Sequence, residues 1–449
     1  MSIKTNIDSL TYETRKHIAK KLQFQANIDN KYSRYTPKRW VYPYEIVEDY
    51  IYLPFTYAQT TLELDRPERK QFPSMNRTFQ GQLNEVQVEI RQEAFNMLNK
   101  SGCCLLSLYT GAGKTIITIY LASRIKLKTA IIAHRLVLID QWKEAIEEFC
   151  PNAKVQILES TDEIDDEADF YILNVVNTPK FSSIAFKHVG LCVLDEIHLL
   201  VSEVFSECLK FFSPRYLIGL SATPYRKDGL NVLFDLYFGK NRIHRELKQK
   251  HIVYKINTGI VPETKQNKDG GLDWSSVIKS QCENQQRNDF IVELAKHFKD
   301  KNILVLSKRV KQARYIAETL EEEKEYVTTL IGTEKEYDKE ARILVGTTSK
   351  IGVGFNHPKL DTLILASDVA DQRDRKNPEI EGYYIQILGR VFRRKDVVPV
   401  VFDLVDNFRS LKDHWNERKK VYENHGGEVK IFENEFPSFG FKSFLKNDI

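Results

Sequence analysis

Short apolar runs recur along most of this chain, and they are continuous rather than alternating. Cys104–Tyr109, Thr129–Ala133, Phe170–Val175, Leu191–Leu194 and Tyr216–Leu220 form a first series. A strand buried on both faces reads as an unbroken apolar run, whereas a half-exposed strand alternates. Helical patterns lie between the runs, so the series predicts a parallel sheet covered by helices. Asn302–Leu306, Ala341–Gly346, Thr362–Ala366 and Val398–Leu404 repeat the arrangement. Between the two series, Asn257–Trp274 is polar and carries Lys265-Gln-Asn-Lys-Asp-Gly-Gly271, the composition of a connecting segment. The prediction is an α/β chain with an N-terminal accessory domain over 1–79, a first lobe over 80–250, a linker over 251–280, and a second lobe with its tail over 281–449.

The first 79 residues lie outside this rhythm. Lys31-Tyr-Ser-Arg-Tyr-Thr-Pro-Lys-Arg-Trp-Val-Tyr-Pro-Tyr44 interleaves aromatic and basic residues, and Asp49-Tyr-Ile-Tyr-Leu-Pro-Phe55 reads as a short strand. Two readings stay open: a surface that stacks bases and neutralises phosphates, or an accessory domain whose aromatics form its own core.

Composition narrows the field modestly. A chain of 449 residues, 42% hydrophobic and 29% charged, is an ordinary globular one that is too long for a single core. Its net charge of +4 carries no electrostatic signature, so any polyanion site has to be local. Met1–Lys21 lacks the apolar core of a signal peptide, and the apolar stretch Thr129–Ile139 is interrupted by His134 and Arg135 and is too short to span a bilayer. The expectation is a soluble, intracellular protein with no membrane partner. Its six cysteines form no C-x-x-C pair, which argues against a zinc ribbon or a dithiol redox motif.

Four short segments carry chemistry. Thr110-Gly-Ala-Gly-Lys-Thr115 follows a strand and opens the helix predicted over Ile116–Arg124. Such glycines let backbone N–H groups curl around phosphates, and the helix dipole favours the anion. Thr110, Gly111, Ala112 and Gly113 would form the cradle, Lys114 would neutralise the β and γ oxygens of ATP, and Thr115 would bind Mg²⁺. Leu108 stands where the full phosphate-loop pattern places its first glycine. Val193-Leu-Asp-Glu-Ile-His198 ends a buried strand; Asp195 suits the metal and Glu196 the orientation of an attacking water. Ser221-Ala-Thr223 follows another strand, where small hydroxyls can relay hydrogen bonds or merely cap a helix. Gln386-Ile-Leu-Gly-Arg-Val-Phe-Arg393 places Arg390 and Arg393 three residues apart on one helix face, suited to γ-phosphate charge, although a solvated basic face would look alike.

In this order, on two α/β lobes, these segments resemble the superfamily 2 helicases across roughly residues 79–425. The resemblance implies tandem RecA-like lobes with Mg-ATP bound between them, closing on ATP. Further segments follow from it. Leu83-Asn-Glu-Val-Gln87 resembles the entry sequence whose glutamine reads adenine. Ala133-His-Arg-Leu-Val-Leu138, with Gln141-Trp142, resembles motif Ia, which grips the nucleic-acid backbone; His134 and Arg135 replace the usual Pro-Thr. Ile303–Ser307 resembles motif IV, and Thr347-Thr-Ser-Lys-Ile-Gly-Val-Gly-Phe-Asn-His-Pro358 resembles motif V. That implies a backbone contact for Thr347, nucleotide contacts for Gly354 and Gln386, and coupling roles for His198, Ser221 and Thr223. Asn356 replaces the usual Asp, and Tyr109 a small residue or Pro.

Ser221-Ala-Thr-Pro-Tyr-Arg-Lys-Asp-Gly229 and Arg287-Asn288 resemble the XPB/UvsW-like branch. Within it, the aromatic N-terminus and His414-Trp-Asn-Glu-Arg-Lys-Lys-Val-Tyr422 are most similar to the transcript-release helicases of poxviruses and related large DNA viruses. The implied cofactors are ATP and Mg²⁺. The implied partners are DNA and/or RNA, read along the backbone, together with transcription or replication machinery. For a viral chain the place would be the host cytoplasm, a virus factory or the virion. Three rivals remain: a motor that strips proteins or transcripts or moves junctions without unwinding, a restriction-enzyme motor subunit, and an inactive binding scaffold.

Overall fold

The computed structural model describes residues 1–26, 39–159, 163–182, 184–200, 211–222, 230–351, 355, 357–370, 383–392, 394 and 396–432. Two compact units divide the chain, Met1–Arg245 and Glu246–Ile449.

The first unit is built on a seven-stranded sheet. Its order is Arg242–Arg245, Cys103–Leu108, Tyr216–Ser221, Leu191–Leu194, Thr129–Ala133, Phe170–Asn174 and Val155–Leu158, and every pairing is parallel. The central strands are buried along their whole length, which is why they read as unbroken apolar runs. The helices that cover them keep an apolar stripe. In Leu136–Phe149 the buried positions Leu138, Ile139, Trp142 and Ile146 follow the helical period.

The described residues of the expected accessory domain over 1–79 pack into the first unit rather than standing apart from it. The strand Ser2–Asn6 pairs antiparallel with Tyr50–Pro54, which also pairs with Glu45–Val47. The helix Phe55–Thr61 lies on the helix Val232–Phe238, where Thr56 Oγ1 donates to Tyr237 O at 2.8 Å. Met1, Ile3, Leu53 and Phe55 share one continuous core with Phe212, Phe234 and Tyr237. The N-terminal ammonium donates to Phe212 O, and the Ser2 N–H reaches the same carbonyl at 3.1 Å. The aromatics divide between the two readings. Tyr52, Phe55 and Tyr57 are buried, Tyr44 packs against the core, and Trp40, Tyr42 and Tyr50 are exposed. Residues 27–38, which hold most of the aromatic–basic stretch, lie outside the described residues.

The second unit repeats the plan in the order Val327–Leu330, Ile343–Thr347, Ile303–Ser307, Thr362–Leu365, Val400–Val405, His251–Asn257 and Gly427–Phe432, again all parallel. The expected linker over 251–280 is largely structured. His251–Asn257 is an interior strand between Val400–Val405 and Gly427–Phe432, and Trp274–Glu283 is a helix capped by Asp273. The polar composition belongs only to the turn and the short hairpin Lys265–Gln266 with Leu272–Asp273. No helix among the described residues is long and apolar enough to cross a membrane.

The shared core makes a direct prediction. Phe55 is fully buried, and truncating a buried Phe to Ala costs about 3–5 kcal/mol. At about 2–4 °C per kcal/mol for a unit of this size, Phe55→Ala lowers the thermal midpoint of the first unit by roughly 10 °C in scanning calorimetry. An unchanged midpoint would show that the N-terminal segment is not part of that core.

Candidate functional site

All parallel strands of a sheet point their carboxyl ends the same way, so the segments that follow them gather on one edge. In the first unit that edge carries the loop Tyr109–Gly113, the loop at His134–Arg135, the Asp195–His198 segment and Ser221.

The loop after Cys103–Leu108 turns through Gly111 and Gly113, whose φ values are 94° and 88°. A Cβ at Gly113 would stand 2.3 Å from Gln87 Nε2 and 2.9 Å from Ile116 Cγ2, so the position needs glycine both for its backbone and for its space. No side chain caps the helix Lys114–Ile125 that begins there. The positive dipole end of that helix faces the glycine loop, an arrangement that favours an anion there. Lys114 Nζ donates to Leu108 O at 3.0 Å, folded back over the loop. Gln87 holds the cradle from the side. Its Oε1 accepts from Asn84 N at 3.1 Å in a capping box, while its Nε2 donates to Ala112 O at 3.2 Å.

Asp195 is buried with both carboxylate oxygens engaged. Oδ1 accepts from Glu196 N at 2.9 Å and Oδ2 from the indole Nε1 of Trp142 at 2.8 Å. Burial, then the charge of Glu196, pushes its pKa up to about 6; the Trp142 hydrogen bond and the Lys114 ammonium pull the other way. Glu196 sits at a left-handed φ of 48°, an uncommon conformation for a residue with a side chain. His198 joins two of the segments: its Nδ1 is 2.9 Å from Ser221 Oγ and 3.4 Å from Glu196 Oε2. His134 is a neutral imidazole held down to about 4, first by burial and then by Arg135. Neither of its buried ring nitrogens has a hydrogen-bond partner among the described residues. Arg135 itself is exposed, as are Leu136 and Val137 beside it.

Among the described residues no cluster of three or more His, Cys, Asp and Glu could hold a metal. Mg²⁺ keeps waters and binds through one or two carboxylates plus substrate phosphates rather than an all-protein cage. One buried carboxylate at Asp195 and the Thr115 hydroxyl in the first helical turn fit that requirement.

The second unit has its own polar edge. Thr347 ends its strand with a buried hydroxyl 3.2 Å from Ser349 Oγ. Gln386 and Arg390 are buried on the helix Tyr383–Val391, and Arg390 Nη1 donates to Phe355 O at 2.5 Å, tying the arginine segment to the one that resembles motif V. Thr223, Gly354, Asn356 and Arg393 lie outside the described residues.

Two buried networks fix this edge. Arg287 donates to Asp406 Oδ1 at 3.2 Å and to the carbonyls of Leu404 and Ala366; Asp406 also accepts from Thr258 and Gln281, each at 2.6 Å. Arg418 donates to both oxygens of Asp403 at 2.8 Å and to Asp368 Oδ1 at 2.7 Å. Burial alone would raise the Asp368 carboxyl, but the Arg418 charge overcomes it and holds the group at about 2. A cavity of about 670 Å³ near the strand end at Ser307 is lined by Lys279, Arg309 and Lys311, and also by Glu283, which lies 3.9 Å and 3.8 Å from the two lysines.

Sequence reasoning placed Trp142 beside motif Ia but missed its bond to Asp195, and it missed Asp368, Asp403 and Asp406. A buried Trp in an amphipathic stripe needs a partner for its N–H, and acids just inside or after apolar strands need buried cations. Those were the available signals.

Residues 80–226 match the family described as "Type III restriction enzyme, res subunit". A candidate helicase of Invertebrate iridescent virus 6, 161L, is 39% identical over 413 residues, covering 86% of this chain and 91% of its own. The transcript termination protein A18 of Yaba-like disease virus is 23% identical over 442 residues, covering 88% and 87%. The solved structure of S. cerevisiae Dbp5 bound to RNA and ADP BeF3 is 14% identical with a TM-score of 0.53, covering 78% of this chain and 94% of that one. At that identity the likeness is one of fold, and it matches the expected tandem RecA-like lobes.

The buried histidines predict a pH response. His134 and His251 are each held down to about 4 against an ordinary 6.5. Between those values the unfolded chain takes up protons that the folded one refuses, so stability present above pH 6.5 is lost as pH falls toward 4. His251→Asn should flatten the thermal midpoint against pH across that window. An equally steep profile in the variant would move the cause elsewhere.

Proposed function

The chain belongs to the superfamily 2 ATP-dependent helicases of large DNA viruses, and on that premise we propose that it hydrolyses Mg-ATP to move along, or unwind, DNA or RNA. The observation that carries this reading is the meeting, on one sheet edge, of the phosphate loop, the pinned Asp195 with Glu196, and the His198–Ser221 hydrogen bond.

In this reading the backbone N–H groups from Gly111 to Thr115 hold the phosphates, and Lys114 leaves Leu108 O to meet the β and γ oxygens. Thr115 and Asp195 would hold Mg²⁺, which when bound neutralises phosphate charge. Glu196 orients the attacking water, and Arg390 and Arg393 are assigned to phosphate charge that develops during hydrolysis. Gln87 reads the adenine while continuing to brace the loop. Gly354 and Gln386 complete the nucleotide contacts, and His134, Arg135 and Thr347 follow the nucleic-acid backbone. Such contacts fall on phosphate and sugar, so little sequence preference is expected. The likeness to a transcript termination protein favours a second reading, in which the same motor strips transcripts rather than separating strands. Transcription or replication machinery would then be its partner, and strand-displacement and transcript-release assays divide the two readings.

Lys114→Ala should abolish hydrolysis with the fold intact, and Glu196→Gln should keep nucleotide binding while turnover falls by about 10² or more. ATPase assays and nucleotide titrations check both. Near-wild-type turnover in Lys114→Ala would sink the site, and loss of binding in Glu196→Gln would make that residue structural.

The exposed aromatics of the N-terminal region supply a further test. Trp40 and Tyr42 flank the buried Val41, and Lys4 Nζ lies 3.8 Å over the Tyr50 ring. We assign these rings to base stacking, worth about 1–3 kcal/mol per base. Trp40→Ala with Tyr42→Ala should weaken single-strand affinity about tenfold and leave nucleic-acid-free ATPase unchanged. Equal affinity would leave these rings no part in nucleic-acid grip.

A further inference from the structure

Asp195 is held from two directions. Its backbone N–H donates to Ile132 O at 2.9 Å, on the strand Thr129–Ala133. Its carboxylate Oδ2 takes the Trp142 indole N–H at 2.8 Å, from the helix Leu136–Phe149. That strand and that helix are joined by two residues alone, His134 and Arg135. The chain therefore closes a circuit from Asp195 through the strand and the exposed Arg135 corner into the helix, and back to the same carboxylate.

Three features make the indole contact specific. Trp142 is 2% exposed, so its N–H has no recourse to water. Arg135 is the N-cap of this helix and Trp142 stands seven positions further on, about 10 Å at 1.5 Å per residue, so the corner and the indole belong to the start of one short rigid element. Finally, the other oxygen of Asp195 is taken by Glu196 N, which leaves Trp142 as the donor that sets the rotation of the carboxylate about its bond.

We infer that Trp142 is a positioning residue that aims the Asp195 carboxylate at the metal and links that carboxylate to the Arg135 corner, so that contact there with a nucleic-acid backbone adjusts the metal site. The inference rests on the ATP-hydrolysing reading above. A rigid helix transmits a small shift at its first turn to its second, and a single directional hydrogen bond converts the shift into rotation of one carboxylate. The polar tip of the indole does this while its body stays in the core.

The test must remove the N–H without emptying the core. Trp142→benzothienylalanine keeps the bicyclic shape and replaces N–H by sulfur; Trp142→Phe is the coarser variant. Both are made in the full chain. The affinity of a fluorescent, non-hydrolysable ATP analogue is titrated with Mg²⁺ and with EDTA, and ATPase is followed against oligothymidine. In the isostere the gain in affinity that Mg²⁺ brings should fall about tenfold or more, the EDTA affinity should stay within about twofold, and the thermal midpoint should hold. Stimulation by oligothymidine should fall with the Mg²⁺ gain, while oligothymidine affinity persists. An isostere that keeps both the Mg²⁺ gain and the stimulation overturns the inference. So does one whose EDTA affinity falls equally, because Trp142 would then support the whole pocket. If the wild-type chain shows no Mg²⁺ gain, the ATP-hydrolysing reading itself falls, and the inference with it.

Discussion

The buried polar groups of both units answer to one constraint of hydration: two seven-stranded parallel sheets whose central strands are buried along their length. Such strands cannot carry charge along their span without a desolvation penalty. The candidate site groups accordingly stand at or just past the strand ends. Because the strands are parallel, those ends share an edge. Segments far apart in the chain, such as Gly111–Thr115, Asp195 and Ser221, meet there with no further instruction. Asp195 shows how tight the constraint is. It stands one residue past a fully buried strand, and its carboxylate still needs two N–H donors.

The second unit meets the same constraint with buried ion pairs. Arg287 with Asp406, and Arg418 with Asp403 and Asp368, are almost wholly removed from water. Replacing such pairs by apolar groups is often neutral or stabilising, so stability alone does not account for them. What they do is geometric. Arg287 ties Ala366, Leu404 and Asp406, the ends of two adjacent strands, while Arg418 ties the C-terminal helix Arg409–Asn424 to the same edge. A wrong register would leave a charge unpaired in the core, at a cost of several kcal/mol. The networks therefore specify one arrangement of the edge that also carries Thr347 and Arg390.

The N-terminal region teaches a different lesson about boundaries. Its aromatics suggested a module apart from the lobes, yet Phe55, Leu53 and Met1 complete the core that Phe212 and Tyr237 begin. Aromatic residues look alike in a sequence whether they face water or a neighbour, and partition between Tyr52 inside and Trp40 outside comes from pairing register. The presumed linker failed for a related reason. His251–Asn257 is an interior strand, but its His, Lys and Asn dilute the apolar run that marks one; His251 is accommodated against the Phe392 ring, at 4.5 Å between centroids and tilted by 45°.

By itself the sequence determined the fold class, the order of the two lobes and the place of the glycine loop Thr110–Thr115 between a strand and a helix, because these depend on local periodicity and on side-chain types at short spacing. Gly113 is legible as glycine, and Asp195 as an acid at a strand end, before any contact is known. Only the tertiary structure decided which groups are partners. That Gln87 braces Ala112, that Trp142 holds Asp195 and that His198 meets Ser221 are pairings across 25, 53 and 23 residues. A hydrogen bond requires atoms within about 3 Å and a defined angle, and no spacing along a chain encodes that over such separations. Packing of the helices on the sheets sets it.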